Sequence, residues 1–236
     1  MRPDLIALTL LAPVLLGQAF FVRRGVQVLP EATGERIGQA GEGPPLRLLV
    51  IGDSSAAGVG VRSQDRALLG QLVSRLARRH QIAYTLVAKS GARTADGLAW
   101  IDDIPGAFDV AVTAFGVNDV TKGTSLPAFV SAQQQLWERL KSAKGVGQVL
   151  VSGMPPLGQF PALPQPMRWV LGARATRFGA AQEQAAVQAE AVTFVKFSRD
   201  LVACEMAADG FHPGPTVYAD WAEAVAERIA LKRPVA

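Results

Sequence analysis

Leu46-Arg47-Leu48-Leu49-Val50-Ile51-Gly52-Asp53-Ser54-Ser55 is the stretch from which the rest of the chain can be read. Its first six residues are an apolar run broken only by Arg47, with the length and content of a strand buried on both faces. Gly52 ends the run and permits a sharp turn, and three polar residues follow at once. The same pattern recurs downstream. Short β-branched runs predict further strands at 82–87, 110–114, 149–151 and 192–195. Helical periodicity predicts helices near 65–79, 94–100, 126–143 and 168–189. A last helix is expected over 215–231, with Val217, Trp221, Val225 and Ile229 on one stripe and Pro215 in its first turn. Strands alternating with helices predict an α/β domain: a five-stranded parallel sheet covered by helices on both faces.

In such open sheets chemistry collects beyond the carboxyl ends of the strands. The residues found there are polar and specific. Asp53-Ser54-Ser55 follows the first strand and Ser90-Gly91-Ala92-Arg93-Thr94 comes after the second. The third leads into Gly116-Val117-Asn118-Asp119, and the fourth into a proline-rich loop. Some way after the fifth stands Asp209-Gly210-Phe211-His212-Pro213. A serine hydroxyl is a weak nucleophile unless a base takes its proton, and that base is usually a histidine held by a third group. The chain has two histidines. His80 ends an arginine-rich helix, where capping accounts for it. His212 lies three residues after Asp209 in a Gly- and Pro-containing turn that can bring the carboxylate to one ring nitrogen and leave the other facing outward. Ser54 is the expected nucleophile. Backbone N–H groups of Ser54 and Gly91, and the side-chain amide of Asn118, are the expected donors to a developing oxyanion.

These blocks resemble those of the GDSL, or SGNH, hydrolase family. The match rests on Gly52-Asp53-Ser54, Gly91, Gly116-x-Asn118-Asp119 and Asp209-x-x-His212-Pro213, and covers about residues 46–231. The resemblance implies a flavodoxin-like, three-layer α/β/α fold, a Ser–His–Asp triad and an oxyanion hole from Ser54, Gly91 and Asn118. It implies a serine esterase acting on a small-molecule or lipid ester, with no cofactor and no metal. One departure is visible: Ser55 stands where the family's other name has Leu, which bears on substrate fit. An acyltransferase on the same fold is the alternative, since a hydroxyl acceptor can resolve the same acyl-enzyme; a catalytically silent binding module is a further one. An α/β-hydrolase elbow would need glycine where Ala56 stands. A dinucleotide site would need a third glycine where Ser63 follows Gly58-Val59-Gly60, and there is no P-loop. The loop 154–166 is expected to shape specificity, with Met154, Leu157 and Phe160 as the wall of the substrate pocket and Leu163 and Trp169 nearby.

Residues 1–24 form a hydrophobic N-terminal segment, 25–45 a glycine- and proline-rich linker, and 46–236 the catalytic domain. Residues 5–22 run without a charge, which is just long enough for a membrane helix of about 20 residues, kinked at Pro13. The stretch is expected to hold the chain at a membrane. Arg23 and Arg24 downstream favour the cytoplasmic side for the domain. The rival readings are a cleaved signal peptide followed by export, and a helix packed on the domain itself. The single cysteine, Cys204, excludes an internal disulfide and a cysteine zinc site. The net charge of +4 does not point to nucleic acid: Arg75, Arg78 and Arg79 have the spacing of one solvated helix face, with no interleaved aromatics.

Overall fold

Leu48, Leu49, Val50 and Ile51 are all fully buried. Successive strand residues point to opposite faces, so four in a row can be buried only where apolar layers lie on both sides. The computed structural model, which describes residues 11–229, has that arrangement. Strands β1 (Ile37–Ala40), β2 (Pro45–Gly52), β3 (Gln81–Ala88), β4 (Val110–Ala114), β5 (Gln148–Ser152) and β6 (Val192–Val195) form one sheet in the order β1-β3-β2-β4-β5-β6. Leu48 and Val50 join Val112 and Leu150 against α2 (Leu68–Leu76) and α7 (Pro215–Ala226). Leu49 and Ile51 join Ala111 and Val149 against the opposite layer, where α5 (Leu126–Lys144) contributes Leu136, Trp137 and Leu140 and α6 (Met167–Gln188) contributes Ala185 and Ala186. The short helices α3 (Thr94–Trp100) and α4 (Val117–Thr121) open directly beyond strand ends.

Helix limits follow local chemistry. Ser125 caps α5 by accepting from the Ala128 N–H at 3.3 Å, and Gly145, at φ 67°, closes it. Pro215 sits in the first turn of α7, where a missing N–H costs nothing. That helix was expected to reach 231 but ends at Ala226; 230–236 lie outside the described residues. Arg75, read as part of a solvated face, is in fact tied to α7 by Glu223 at 2.5 Å.

Two expectations are corrected. The sheet has six strands, five parallel and one antiparallel: β1 runs antiparallel beside β3, with Ile37 opposite Thr85. It lies in the stretch read as a linker. A parallel sheet ending at β3 would leave a row of unpaired backbone groups, and β1 covers them. The second concerns the kink at Pro13. Helix α1 (Ala12–Gly25) has Pro13 in its first turn, so the proline starts the helix instead of kinking it. Among the described residues no helix is long and apolar enough to cross a membrane. The upstream part of the apolar run, 5–10, lies outside the described residues. Leu15 and Val22 of α1 pack on a third apolar cluster containing Phe160, Leu163 and Met167, which is the domain-packed arrangement.

Strand β2 is where the chain reverses direction across the sheet: β3 lies on one side of it and β4 on the other. Gly52 pairs in register with Ala88 and with Ala114. Three loops therefore leave the sheet side by side at its switch point, where this class of fold opens a crevice.

Candidate active site

The turn after β2 is shaped by contact. A Cβ on Gly52 would stand 2.5 Å from the Ala56 Cβ and 2.6 Å from the Ala114 carbonyl oxygen. Only glycine lets the chain fold back this closely. The Asp53 N–H donates to that same Ala114 carbonyl at 3.0 Å, which pins the turn to β4. Beyond it, Tyr218 from α7 places its hydroxyl between the carbonyls of Ser55 (3.0 Å) and Val59 (2.7 Å). Burial, and the carboxylates of Asp53 and Asp209, push the Tyr218 phenol well above its ordinary pKa, so it remains a donor.

The Asp209–Pro213 turn presents the histidine. One Asp209 oxygen accepts from the backbone N–H groups of Phe211 (2.9 Å) and His212 (3.0 Å), an Asx turn closed on itself. The other lies 2.5 Å from His212 Nδ1. Burial opposes ionisation of Asp209, but the hydrogen bonds from the His212 ring and the two N–H groups outweigh it and hold the carboxyl below its usual range. His212 Nε2 stands 2.8 Å from Ser54 Oγ. Hydroxyl, imidazole and carboxylate are thus in line, a geometry in which the ring can take the serine proton while the carboxylate steadies the resulting cation. Gly60 keeps this approach open: at φ 105°, a Cβ there would lie 2.3 Å from the Pro213 carbonyl oxygen and 3.3 Å from the His212 Cβ.

Asn118 rides on the first turn of α4, which Gly116 introduces at φ 138°, a value L residues avoid. Its Nδ2 donates to Asp53 at 3.3 Å, and the Ser55 N–H donates to the other Asp53 oxygen at 2.9 Å. Burial pushes the Asp53 carboxyl up to about 6 in spite of these bonds. Next to Asn118, buried Asp119 accepts from the Thr94 N–H (3.0 Å) and hydroxyl (2.9 Å), locking α4 to α3. Gly91 has φ 82° in the loop before α3. Its carbonyl accepts from Lys122 at 2.6 Å. The neighbouring Ser90 donates both its N–H and its hydroxyl to Glu31 at 2.7 Å, and Arg36 holds the other Glu31 oxygen at 2.6 Å.

Ser54, Gly91, Asn118, Asp209 and His212 all border one cleft of about 500 Å³. Of the expected pocket wall, Phe160 lines it, as does the nearby Leu163. Met154 and Leu157 do not. Leu157 is 1% exposed, locked in the third apolar cluster by the short turn it begins. Met154 fills the space left by the missing side chain of Gly116, where a Cβ would lie 2.5 Å from its terminal methyl. Trp169 is half exposed and lies off the cleft. His80 immediately precedes β3, at the amino end of the parallel strands and so at the opposite edge of the sheet. Among the described residues, no three His, Cys, Asp or Glu side chains converge as a metal-binding group.

Sequence reasoning missed four contributors. Glu31 fell in the presumed linker, and nothing in the sequence couples it to Ser90. Tyr218 carried no signal beyond its place beside the Val217 stripe. Asp53 was legible as part of its block but not as the acceptor that orients Asn118. Helix α1 was read for its length, not for what its inner face touches.

An open α/β sheet with a serine–histidine–aspartate line at its switch point defines a hydrolase class, and the comparisons are specific to it. The sequence model of the GDSL-like Lipase/Acylhydrolase family matches residues 50–219. The chain belongs to this family. It is 28% identical over 190 residues to the GDSL-like esterase Rv1075c of Mycobacterium tuberculosis (strain ATCC 25618 / H37Rv), covering 74% of this chain and 58% of that protein. The chain thus spans somewhat over half the length of that relative. Its fold is similar to the lipase Lip_vut3 from a goat rumen metagenome, with TM-score 0.61 and 16% identity over 77% of this chain and 96% of the other. It is likewise similar to a family 3 carbohydrate esterase of Clostridium thermocellum, with TM-score 0.60 and 17% identity over 78% and 94%. At these identities the likeness is one of fold.

Proposed function

We propose that the protein hydrolyses carboxylic esters through an acyl-enzyme on Ser54. The observation that carries this is the unbroken line from Asp209 through His212 to Ser54 Oγ, at 2.5 and 2.8 Å. His212 takes the hydroxyl proton as Ser54 Oγ adds to the ester carbonyl, and Asp209 stabilises the imidazolium. The N–H groups of Ser54 and Gly91 and the Asn118 amide stabilise the oxyanion. His212 then returns the proton to the leaving alcohol as the carbon–oxygen bond breaks. Water, activated by the same imidazole, releases the acid and restores Ser54. Ser54→Ala is expected to abolish hydrolysis and labelling by a fluorophosphonate probe, while Ser55→Ala keeps most of both. Full activity in Ser54→Ala would overturn the assignment.

We further propose that the N-terminal segment holds the enzyme at a membrane, with the catalytic domain on the cytoplasmic side. Support comes from the uncharged run 5–22 and from Arg23 and Arg24 directly after it.

A further inference from the structure

One wall of the cleft belongs to the N-terminal helix. Ala19, Val22 and Arg23 of α1, with residues 26–29 that follow, line the same space as Ser54, Asn118 and His212. The helix is held there from within. Leu15 and Val22 pack on the apolar cluster beneath it. Gln18 donates to the Gln165 carbonyl at 2.6 Å and accepts from the Met167 N–H at 3.1 Å.

The outward face is as apolar as the inward one. Leu16 is 72% exposed, Phe21 73%, Phe20 53% and Val14 49%. Exposed apolar residues scattered singly need no explanation, but a row on one short helix marks an interaction surface. The chemistry around it selects the occupant. Arg23 and Arg24 close the helix, Arg24 lying 4.6 Å over the Phe20 ring. Upstream, residues 5–10 continue the apolar run and Arg2 precedes them. An apolar stripe flanked by arginines, on a helix too short to span, fits the interface of a bilayer with anionic headgroups.

We propose that α1 lies in the plane of an anionic bilayer, and that the cleft it walls takes an amphiphilic, long-acyl ester directly from that bilayer. This rests on the ester-hydrolase reading. The cleft is also lined by Phe160, Leu163, Met167, Leu171, Leu201 and Met206. An acyl chain passing from lipid to this lining never meets water, so it avoids the cost of exposing its CH₂ groups. Arg23, at the rim of the same cleft, faces the headgroup level, where an anionic group on the substrate would meet it.

The test uses the full chain and the double variant Leu16→Asp, Phe21→Asp, whose side chains face away from the cleft. Two measurements are made on each: sedimentation with phosphatidylglycerol/phosphatidylcholine or pure phosphatidylcholine vesicles, and hydrolysis of a soluble butyrate ester or a palmitate ester embedded in those vesicles. The wild type is expected to sediment with the anionic vesicles and more weakly with the neutral ones. The variant is expected to lose sedimentation and at least tenfold of the palmitate rate, and to keep its butyrate rate within twofold. A wild type that stays in the supernatant with both vesicles would overturn the proposal. So would a variant that hydrolyses the embedded ester at the wild-type rate. Light scattering showing a wild-type dimer that the substitutions dissociate would assign the face to a second copy of the chain. Failure of the wild type to hydrolyse either ester would instead overturn the ester-hydrolase reading, which sedimentation does not test.

Discussion

Asp53 carries an electrostatic load that its neighbours do not share. Its carboxyl is buried, its pKa is raised to about 6, and it orients the amide of Asn118. A carboxyl whose folded pKa lies above its unfolded value binds a proton more tightly in the folded state. Its contribution to stability is therefore full below pH 4 and is lost as the pH rises through 6. Asp53→Asn removes that dependence. Relative to wild type, the variant should gain on the order of 3 kcal/mol between pH 4 and pH 8, read by denaturant unfolding at the two values. The gain comes at the site. With an amide in place of the carboxylate, Asn118 no longer has an anion to donate to, and its own amide can turn its oxygen toward the cleft. We expect kcat to fall by roughly 10²-fold at pH 8 with KM little changed, the pattern of a lost oxyanion donor. Parallel pH–stability curves for the two proteins would show that Asp53 is not the strained group. Asp209, the second carboxylate near His212, behaves in the opposite way, because it makes three hydrogen bonds from N–H donors and is held ionised.

At the scale of elements, the three loops beyond β2, β3 and β4 are each braced differently. The first is pinned by Tyr218, and the third by Asp119 through Thr94. The second, which carries Gly91, is braced from outside the parallel sheet, by Glu31 just ahead of β1. Burial raises the Glu31 pKa, but hydrogen bonds from Ser90 and Arg36 outweigh it and keep the carboxylate ionised. Glu31→Gln places an amide N–H against either Ser90 or Arg36, both of which are donors. The expected result is a kcat lower by about tenfold with KM preserved, together with faster amide exchange at 90–92. A variant that exchanges faster without losing kcat would mean that Gly91 is not a working donor. The brace was invisible in the sequence. Residues 25–45 are glycine- and proline-rich, and β1 contains a single strongly apolar residue, Ile37, itself exposed. Its pairing is decided by the free edge of β3, a property of the assembled sheet and not of these four residues.

For the molecule as a whole, α1 walls the cleft on one side and exposes Leu16, Phe20 and Phe21 on the other, the face that the proposal turns to lipid. The proposed cytoplasmic placement of the domain is tested at this scale. In a bacterial host, protease added to spheroplasts should leave the domain intact until the cells are lysed; digestion in intact spheroplasts would reverse the orientation. The order of the five parallel strands and of the longer helices between them, and the polar blocks following four of those strands, were legible from the chain alone. The continuous apolar run at 48–51 can be buried only between two helical layers, and Gly52 before three polar residues marks the turn that follows it. The serine, histidine and aspartate could be named for the same reason, since chemistry in such sheets collects at strand ends. What the chain alone could not supply was every relation between residues far apart in it. Leu157 and Met154 were drawn into packing because apolar side chains fill the nearest void, here beside Gly116 and beneath α6, before they line a cleft. The sixth strand, the Glu31 brace and the placing of α1 over the active site all depend on surfaces that exist only once the sheet has formed. Local pattern encodes the elements; the third dimension decides what covers their edges.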